Sequence, residues 1–354
     1  MGAVDIVPPA SQALAAFHRL YPRILALVEE RFGLELNRRA PELDRRQREI
    51  IEDSARRLGD TLKAVYSFSL FEYLEKETSW LVSVLESRGL GREWVDGILE
   101  AWTIGIQGIV EPRVAEELSR PLIRVRSLIL RLGKSSMTTE ESPGEDVEGY
   151  VGLALRGRRR EAAEYALAYL KSGTDPGKIA DDLLLPALHH IGLLWERNRI
   201  SSSEEHLATE ITRYVIHRLF DGLPATKSLP FSAFLACAPG EDHDIGIDLL
   251  ASLLRSDGWS LVFIGRGAPY QDLIDGAASA RPDVVILSVT LVSHLPAARA
   301  LVFGLKAARP GVRIVLGGAA ALAARKDLEP LVSGVAAGLA EGRRMALSLV
   351  GQHA

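Results

Sequence analysis

Residues 231–246 of the chain read FSAFLACAPGEDHDIG. The first seven are mostly apolar and strand-like, and residues 247–254 just beyond the stretch carry apolar residues at helical spacing. The residues between are therefore predicted to form a strand-to-helix loop. In open α/β sheets such loops lie at the carboxyl ends of the strands, where ligands bind.

The predicted loop carries a histidine, a carboxylate two residues before it and a glycine three residues after it, namely Glu241, His243 and Gly246. An imidazole is a good metal ligand, and a carboxylate on its other ring nitrogen fixes the tautomer and raises its basicity. From these residues alone two interpretations stay open. His243 is either a metal ligand or an ordinary polar residue of a loop.

Short apolar strands alternate with helices from here to the end of the chain. Strands are expected near 231–237, 260–264, 283–288, 312–316 and, weakly, 332–336, and helices near 245–255, 269–279, 295–308, 321–329 and 340–350. This alternation predicts an α/β doubly wound parallel sheet of flavodoxin-like order over residues 229–354. The glycine-containing loop 265–269 is expected at the same carboxyl edge, with Arg266 as either a ligand contact or an exposed loop cation.

The pattern Glu241-x-His243-x-x-Gly246 resembles the signature of cobalamin-binding domains, which is Asp or Glu-x-His-x-x-Gly. The resemblance implies that His243 is the lower axial ligand of cobalt. In that family the histidine displaces the dimethylbenzimidazole base of the cofactor, and the base becomes buried in the fold.

Two further landmarks follow in the order that this family has them. The family has Ser or Thr-x-Leu after one apolar strand and Gly-Gly after the next, and the corresponding residues here are Ser288, Thr290, Gly317 and Gly318. Thr290 departs from the usual Leu. The resemblance implies that these residues line the pocket for the displaced base.

Residues 147–222 are predicted to form a four-helix bundle, with helices near 147–155, 160–171, 176–198 and 203–220. Trp195 ends the third helix, and Glu205 and His206 lie in the first turn of the fourth, which Ser202 or Ser203 is expected to cap. From the residues alone, Trp195 is a core residue and the Glu-His pair a solvated helix start.

This spacing resembles the helical cap of light-sensing cobalamin-dependent regulators, of which the carotenoid-gene repressors are best known. The resemblance implies that Trp195 packs against the 5′-deoxyadenosyl group of adenosylcobalamin, and that Glu205 and His206 contact that group or the corrin edge. The repressors have a His directly after the Trp, where this chain has Glu196. His189 and His190 lie nearby and stay open as upper ligands or as plain helix residues.

Residues 1–133 show only helical periodicity and predict an all-α module of five or six helices. Two interpretations of its aromatic residues stay open, a second ligand pocket or the core of a dimerisation or signalling bundle. The residues concerned are His18, Tyr21, Tyr66, Phe68, Phe71, Tyr73 and Trp80. The layout resembles the helical sensor modules of some bacterial cobalamin photoreceptors, including photocobilins, and that resemblance implies biliverdin as a second chromophore.

Composition and charge limit the classes of protein and of binding partner that remain possible. A polar stretch with Pro-Gly predicts an interdomain linker at 134–146, and residues 222–230 predict a second linker. The net charge of −4 gives no electrostatic case for nucleic acid or anionic membrane, and the basic run 156–160 is expected to be a solvated corner. One cysteine excludes an internal disulfide, and the first residues lack the features of a signal peptide. A cytoplasmic protein is expected.

The sequence thus predicts an adenosylcobalamin-dependent light sensor that is not an enzyme. Photolysis of the cobalt–carbon bond would move the cap and change domain or protomer packing. The expected partners are a second copy of the chain, as a dimer or a light-dependent oligomer, and an unidentified downstream protein. The alternative is a corrinoid methyl carrier of a methyltransferase system, which shares the cap and sheet. An adenosylcobalamin mutase is disfavoured because no large barrel fits the chain.

Overall fold

The computed structural model describes residues 9–131, 143–221, 223 and 228–351. Most of the predicted linker 134–146, and residues 222 and 224–227 of the second, lie outside these ranges. The chain divides into two compact units, residues 1–140 with 196–198 and residues 141–195 with 199–354. This division keeps the predicted cap and sheet together, so the separate domain boundaries at 147–222 and 229–354 stay predictions.

The first unit is all-α over its described residues, as predicted. Its helices are α1 Ser11–Arg39, α2 Arg45–Phe68, α3 Phe71–Ser87, α4 Glu93–Ile109 and α5 Pro112–Arg131. At the start of α2 the Asp44 side chain accepts the backbone N–H of Gln47 while the Gln47 side chain accepts that of Asp44. This reciprocal cap satisfies two of the N–H groups that a helix start leaves unpaired.

Aromatic side chains fill the core of this unit. Phe17 and Tyr66 are fully buried and meet edge to face, with ring centroids 4.9 Å apart. Trp102 is fully buried as well, and its indole N–H donates to the carbonyl of Ala55 at 2.8 Å. This packing favours the core interpretation of the buried aromatic residues over the ligand-pocket interpretation.

The second unit begins with the helices of the predicted cap. They are α6 Glu145–Leu155, α7 Arg159–Lys171, α8 Pro176–Ile179, α9 Leu185–Glu196 and α10 Ser202–Asp221. The helix expected over 176–198 is confirmed as a continuous helical stretch from Pro176 to Glu196, but a π-helical turn, Ala180–Leu184, lies between α8 and α9. Pro186 in the first turn of α9 gives the reason. It has no N–H for the carbonyl of Asp182, and its ring would collide with that carbonyl in an unbroken α-helix.

The start of α10 also differs by one residue from the prediction. Ser201, and not Ser202 or Ser203, caps the helix. Its hydroxyl accepts the N–H of Glu204 at 3.3 Å, and the Glu204 carboxylate accepts the N–H of Ser201 at 2.7 Å. This capping box leaves Glu205 in the first turn of α10, where it was expected.

The sheet has five parallel strands in the order β2-β1-β3-β4-β5, the predicted flavodoxin-like order. The strands are β1 Ser232–Cys237, β2 Ser260–Gly265, β3 Val284–Ser288, β4 Ile314–Gly317 and β5 Gly334–Val335. The helices between and after them are α11 Ile245–Ser256, α12 Tyr270–Ala280, α13 Leu295–Ala308, α14 Ala319–Ala323, α15 Arg325–Leu328 and α16 Leu339–Gly351.

Two elements at the β5 edge are shorter than expected. The helix predicted at 321–329 is divided into α14 and α15, and the strand predicted at 332–336 covers only Gly334 and Val335. Pro330 sits in a 3₁₀ turn that ends the helical region, since a proline cannot donate the next helical hydrogen bond. Nothing in the local sequence explains the break at Ala324.

Cap and sheet share one hydrophobic core. Buried side chains of α10, such as Val215 and Leu219, belong to the same apolar cluster as Leu249 and Leu253 of α11. The cap helix α10 is thereby fixed beside α11, the helix that follows the His243 loop. Among the described residues, no helix has both the length and the apolar character needed to cross a membrane.

Candidate functional site

The site lies at the carboxyl edge of the sheet, beside the central strand from which the chain continues first to one side and then to the other. Strand β1 lies between β2 and β3, so the loop after β1 and the loop after β3 leave the sheet side by side. Cys237 and Ser288, the last residues of β1 and β3, are paired in register. Such a switch point at the carboxyl edge is the place where open α/β sheets form a ligand crevice.

His243 is held by the carboxylate that precedes it. The His243 Nδ1 atom lies 2.6 Å from Oε1 of Glu241, and the His243 backbone N–H donates to the same oxygen at 3.0 Å. The hydrogen bond from Glu241 raises the pKa of His243, with burial acting in the opposite direction. Because an ionised carboxylate only accepts, Nδ1 carries the proton, and in the neutral ring Nε2 then has the lone pair, on a side chain that is 56% exposed.

Glu241 is the buried centre of this arrangement, with no exposed surface. Its Oε2 atom accepts the backbone N–H groups of Thr290 at 2.7 Å and Leu291 at 2.9 Å, and lies 3.1 Å from Nδ1 of His294. Burial acts to raise the pKa of Glu241, but the hydrogen bonds from the two histidines and the backbone together hold it well below its usual range. The carboxylate is therefore ionised and fixed by both loops.

The predicted glycines have different surroundings. A Cβ at Gly318, whose φ is +97°, would lie 2.3 Å from the carbonyl oxygen of Val289, so this residue must be glycine for the loops after β3 and β4 to approach. A Cβ at Gly246 or Gly317 would meet nothing within 4 Å. These two positions border open space, as a base pocket requires, whereas Gly318 serves the packing of the protein itself.

Ser288 and Thr290 lie on the β3 side of the crevice. Ser288 ends the strand and is buried, and its carbonyl accepts the N–H of Ala238 at the start of the opposite loop. Thr290 uses its backbone N–H for Glu241, an interaction that any residue other than proline could make. The replacement of the family's usual Leu by Thr290 therefore leaves the anchoring of Glu241 intact.

The three predicted cap residues are only partly brought together. Trp195 is half-buried and donates its indole N–H to the Ser202 hydroxyl at 3.0 Å. Glu205 lies close enough to His243 for its charge to contribute to the raised pKa of that histidine. The His206 side chain hydrogen-bonds Glu205 but is 80% exposed. Glu205 thus lies mostly buried near the His243 loop, whereas the His206 side chain is largely exposed to solvent.

Sequence reasoning missed two residues. His294 shares the Glu241 carboxylate with His243, and Arg213 of α10 pairs with Asp244, the residue directly after His243. No spacing rule links His294 to the motif. A signal for Arg213 was present, because Arg213 and His217 are one turn apart on one helix, as are Asp244 and Asp248 at the start of another.

The donor set suits a metal that brings most of its own ligands. Both oxygens of Glu241 are engaged by hydrogen bonds, which leaves the Nε2 atoms of His243 and His294 as possible metal ligands, and His243 is the more exposed of the two, at 56% against 22%. Within the described residues no group of three or more His, Cys, Asp or Glu side chains forms a metal site. A single imidazole beside open space at Gly246 and Gly317 fits a cobalt ion already held in a corrin ring.

Comparison with known proteins agrees with this geometry. Residues 232–349 match the B12 binding domain family, and residues 147–219 match a second family of the same description. The monomethylamine corrinoid protein of Methanosarcina barkeri has the same fold over 59% of this chain and all of its own, with a TM-score of 0.51 at 19% identity. The second unit therefore carries a B12-binding domain with its helical cap.

Characterised relatives fall into two groups. Dimethylamine corrinoid protein 1 of Methanosarcina acetivorans is 25% identical over 173 residues, which are 48% of this chain and 81% of that protein. The HTH-type transcriptional repressors CarA and CarH of Myxococcus xanthus are 32% identical over 154 residues and 30% identical over 172 residues. Those alignments cover 43% and 48% of this chain but only 50% and 57% of the repressors.

Proposed function

We propose, from the premise of a B12-binding domain under a helical cap, that the protein is an adenosylcobalamin-dependent light sensor. The observation that carries the proposal is that Glu205 of the cap lies near enough to His243, within one compact unit, for the two charges to interact. A ligand between them would meet an imidazole from below and a carboxylate from above. That pairing suits a corrinoid with a ribose-bearing upper group, because a carboxylate accepts hydrogen bonds from ribose hydroxyls.

Different residues would hold different parts of such a cofactor. Nε2 of His243 would serve as the lower cobalt ligand, oriented by Glu241, while Gly246 and Gly317 leave room for the displaced base near Ser288. Trp195 would cover the upper face with its flat indole. Helix α9 supports this role, since several of its apolar side chains are only half-buried, namely Leu185, Leu188, Leu193, Leu194 and Trp195.

A bound adenosylcobalamin supplies one property that the protein lacks, a cobalt–carbon bond that visible light breaks. Once the upper group has left, Trp195 and Glu205 would lose their contact with it and the cap would repack. In this proposal the π-helical turn 180–184 would serve as the hinge for α9, because its hydrogen bonding already departs from the α-helical pattern. Glu196 directly after Trp195 offers no imidazole, so a second histidine ligand cannot come from that position.

The output of the proposed switch would be a change of packing. Movement of α9 would alter the surface that the chain offers to a second copy or to a downstream protein. Biliverdin in the first unit remains a separate hypothesis. The buried aromatic packing there favours a structural role, so the proposal stands without a bilin.

The second candidate is a corrinoid methyl carrier. It is favoured by the corrinoid relative, which aligns over 81% of its own length, whereas the repressors align over about half of theirs. The presence of Trp195 and Glu205 speaks for the light sensor, because a methyl group is small and has no ribose for Glu205 to bind.

The two functions are separated by reconstitution in the dark with adenosylcobalamin and, in parallel, with methylcobalamin. The sensor predicts tighter binding of the adenosyl form, a His-on absorption spectrum, and an irreversible spectral change under green light together with a changed oligomeric state. Free cofactor and the His243→Ala variant are the controls. Equal affinity for both forms, with no change of oligomeric state on illumination, would favour the carrier and refute the sensor.

A further sample with biliverdin tests the bilin hypothesis. A long-wavelength bilin band that survives in the His243→Ala variant would assign a second chromophore site outside the cobalamin crevice. The absence of that band at equimolar biliverdin would remove the bilin hypothesis and leave the cobalamin proposal unaffected.

A further inference from the structure

Helix α10 carries a polar stripe whose C-terminal half contacts the loop of His243 and helix α11. Its members are four residues apart, so that they lie one above the next on a helix, namely Glu205, Thr209, Arg213 and His217. At the upper end the Thr209 hydroxyl donates to Glu205 at 3.0 Å. Farther along, Arg213 and His217 contact carboxylates of the His243 loop and of α11. We call these four residues the α10 stripe.

Arg213 binds two buried carboxylates at once. Its Nη2 atom lies 2.7 Å from Oδ1 of Asp244, and its Nη1 atom lies 3.3 Å from Oδ2 of Asp248. The two aspartate side chains are only 8% and 4% exposed. A planar guanidinium with several fixed N–H groups is the side chain best suited to join two such acceptors.

The ion pair with Arg213 replaces a capping hydrogen bond that Asp244 would ordinarily make within its own helix. It occupies the N-cap position of α11, where an aspartate usually accepts an N–H from the first turn of its own helix, but its side chain makes no such bond. Its carboxylate points to Arg213 instead, with Arg266 as a longer-range partner at 3.7 Å. The local sequence would favour a capped helix, and the cap bundle redirects the side chain.

Asp244 is covalently attached to His243, so whatever holds Asp244 also restrains the imidazole. Arg213 lies two turns along α10 from Glu205, the residue on the opposite side of the proposed ligand. The guanidinium therefore connects the helix that carries the upper contact to the loop that carries the lower one.

We infer that Arg213 is a positioning residue for His243, which holds the axial-histidine loop in register with the cap helix α10. It acts through Asp244 and does not touch the cofactor site itself. The consequence is that α10 and the His243 loop form one rigid element, and that any movement of the cap occurs in α9 beyond the π-helical turn. The inference deepens the proposed function and rests on it only for the identity of the ligand.

The test compares three variants with the wild type, first without any cofactor. Arg213→Met removes the charge while keeping the apolar stem. Arg213→Met with Asp248→Asn also removes one of the stranded carboxylates, and Arg218→Met is a matched control at an exposed arginine of the same helix. The readouts are the melting temperature and the ¹⁵N imidazole spectrum of His243, which reports its tautomer and how uniquely the ring is held.

We expect Arg213→Met to lower the melting temperature by about 10 °C, because it removes the guanidinium that joins the two buried carboxylates. The double variant should recover much of that loss. If Arg213 positions His243, the imidazole signal should nevertheless stay broadened or shifted toward the other tautomer in both variants, and be unchanged in Arg218→Met.

The cofactor-loaded protein supplies the second readout, the ratio of His-on to His-off species in the paramagnetic resonance spectrum of bound cob(II)alamin. We expect this ratio to fall by about tenfold in both Arg213 variants, the size typical of lost second-sphere support. Recovery of stability and of the His243 signals together in the double variant would overturn the inference, since Arg213 would then only neutralise charge. If the wild type bound no cobalamin, the proposed function would fail, and the cofactor-free spectra would still decide the role of Arg213.

Discussion

The two units of the molecule differ in whether they bury carboxylates as well as hydroxyls. In the described part of the first unit the buried polar side chains are hydroxyls, Ser54, Thr61, Thr78 and Ser119, and Ser54 and Thr78 bond the backbone of their own helices. The buried carboxylates among the described residues are all in the second unit and within one short stretch, Glu241, Asp244 and Asp248.

This difference indicates which part of the molecule carries the function. Burying a hydroxyl that bonds the backbone of its own helix costs little free energy, and such a hydroxyl binds no other group. Burying a carboxylate costs much more free energy, so the carboxylate must be held by several partners. Three such groups within eight residues cannot be explained by stability, because apolar side chains would fill the space more cheaply. They indicate that the loop is built to hold His243 in one place.

The largest effect is expected from removing the central carboxylate. Glu241→Ala leaves the N–H groups of Thr290 and Leu291 and the ring N–H groups of two histidines without their acceptor, so we expect the second unit to lose about 4 kcal/mol of unfolding free energy. Urea unfolding read by region-resolved hydrogen exchange measures this. Exchange in α1–α5 should not change, and a uniform loss in both units would contradict the contrast.

The next effect concerns the adjacent glycines. Gly318→Ala should cost about 3 kcal/mol, because its Cβ would collide with the Val289 carbonyl and its backbone has a positive φ. Gly317→Ala is the matched control, since its Cβ meets nothing within 4 Å. It should leave the melting curve unchanged yet weaken cobalamin binding if the space beside it holds the base. Equal melting temperatures for the two variants would refute the distinction.

Lowering the pH should destabilise the second unit before it destabilises the first. The pKa of Glu241 is held below its usual range, so its contribution to stability is complete above about pH 4.5 and is lost as the pH falls further. Partial burial raises the pKa of Glu77, a half-buried carboxylate of the first unit, with the charge of Arg57 acting against it, so protonation of Glu77 relieves a penalty as the pH falls. Hydrogen exchange between pH 6 and 3.5 should show the second unit opening first.

The Glu241→Gln variant is the control for this acid response. Glutamine cannot titrate, so the second unit of that variant should be less stable throughout but should lose less additional stability below pH 4.5. A variant that kept the full acid sensitivity of the wild type would assign the effect to other carboxylates.

The smallest effect is expected in the first unit. Ser119 is fully buried, and its hydroxyl has no hydrogen-bond partner among the described residues. Ser119→Ala should therefore change the unfolding free energy by less than about 0.5 kcal/mol, or stabilise slightly, in a thermal melt. A loss comparable to that of Glu241→Ala would mean that buried polar groups in the two units are equivalent after all.

The sequence by itself determined the alternation of strands and helices, the order of the sheet and the loop that carries His243. These features follow from local periodicity and from the geometry of parallel strands, which need no knowledge of distant contacts. The same logic placed Trp195 at the end of one helix and Glu205 at the start of the next. It did not predict the π-helical turn within 176–198, which forms because Pro186 acts on the turn before it.

Only the tertiary structure decided which partners the buried charges take. Glu241 accepts hydrogen bonds from Thr290, Leu291 and His294 because β1 and β3 are neighbours. Asp244 pairs with Arg213 and does not cap its own helix, because the cap and the sheet domain share a core. Hydrogen bonds between residues 31 to 53 positions apart leave no periodic trace in a sequence. Their formation depends on burial, which withdraws competing water and makes each pairing obligatory.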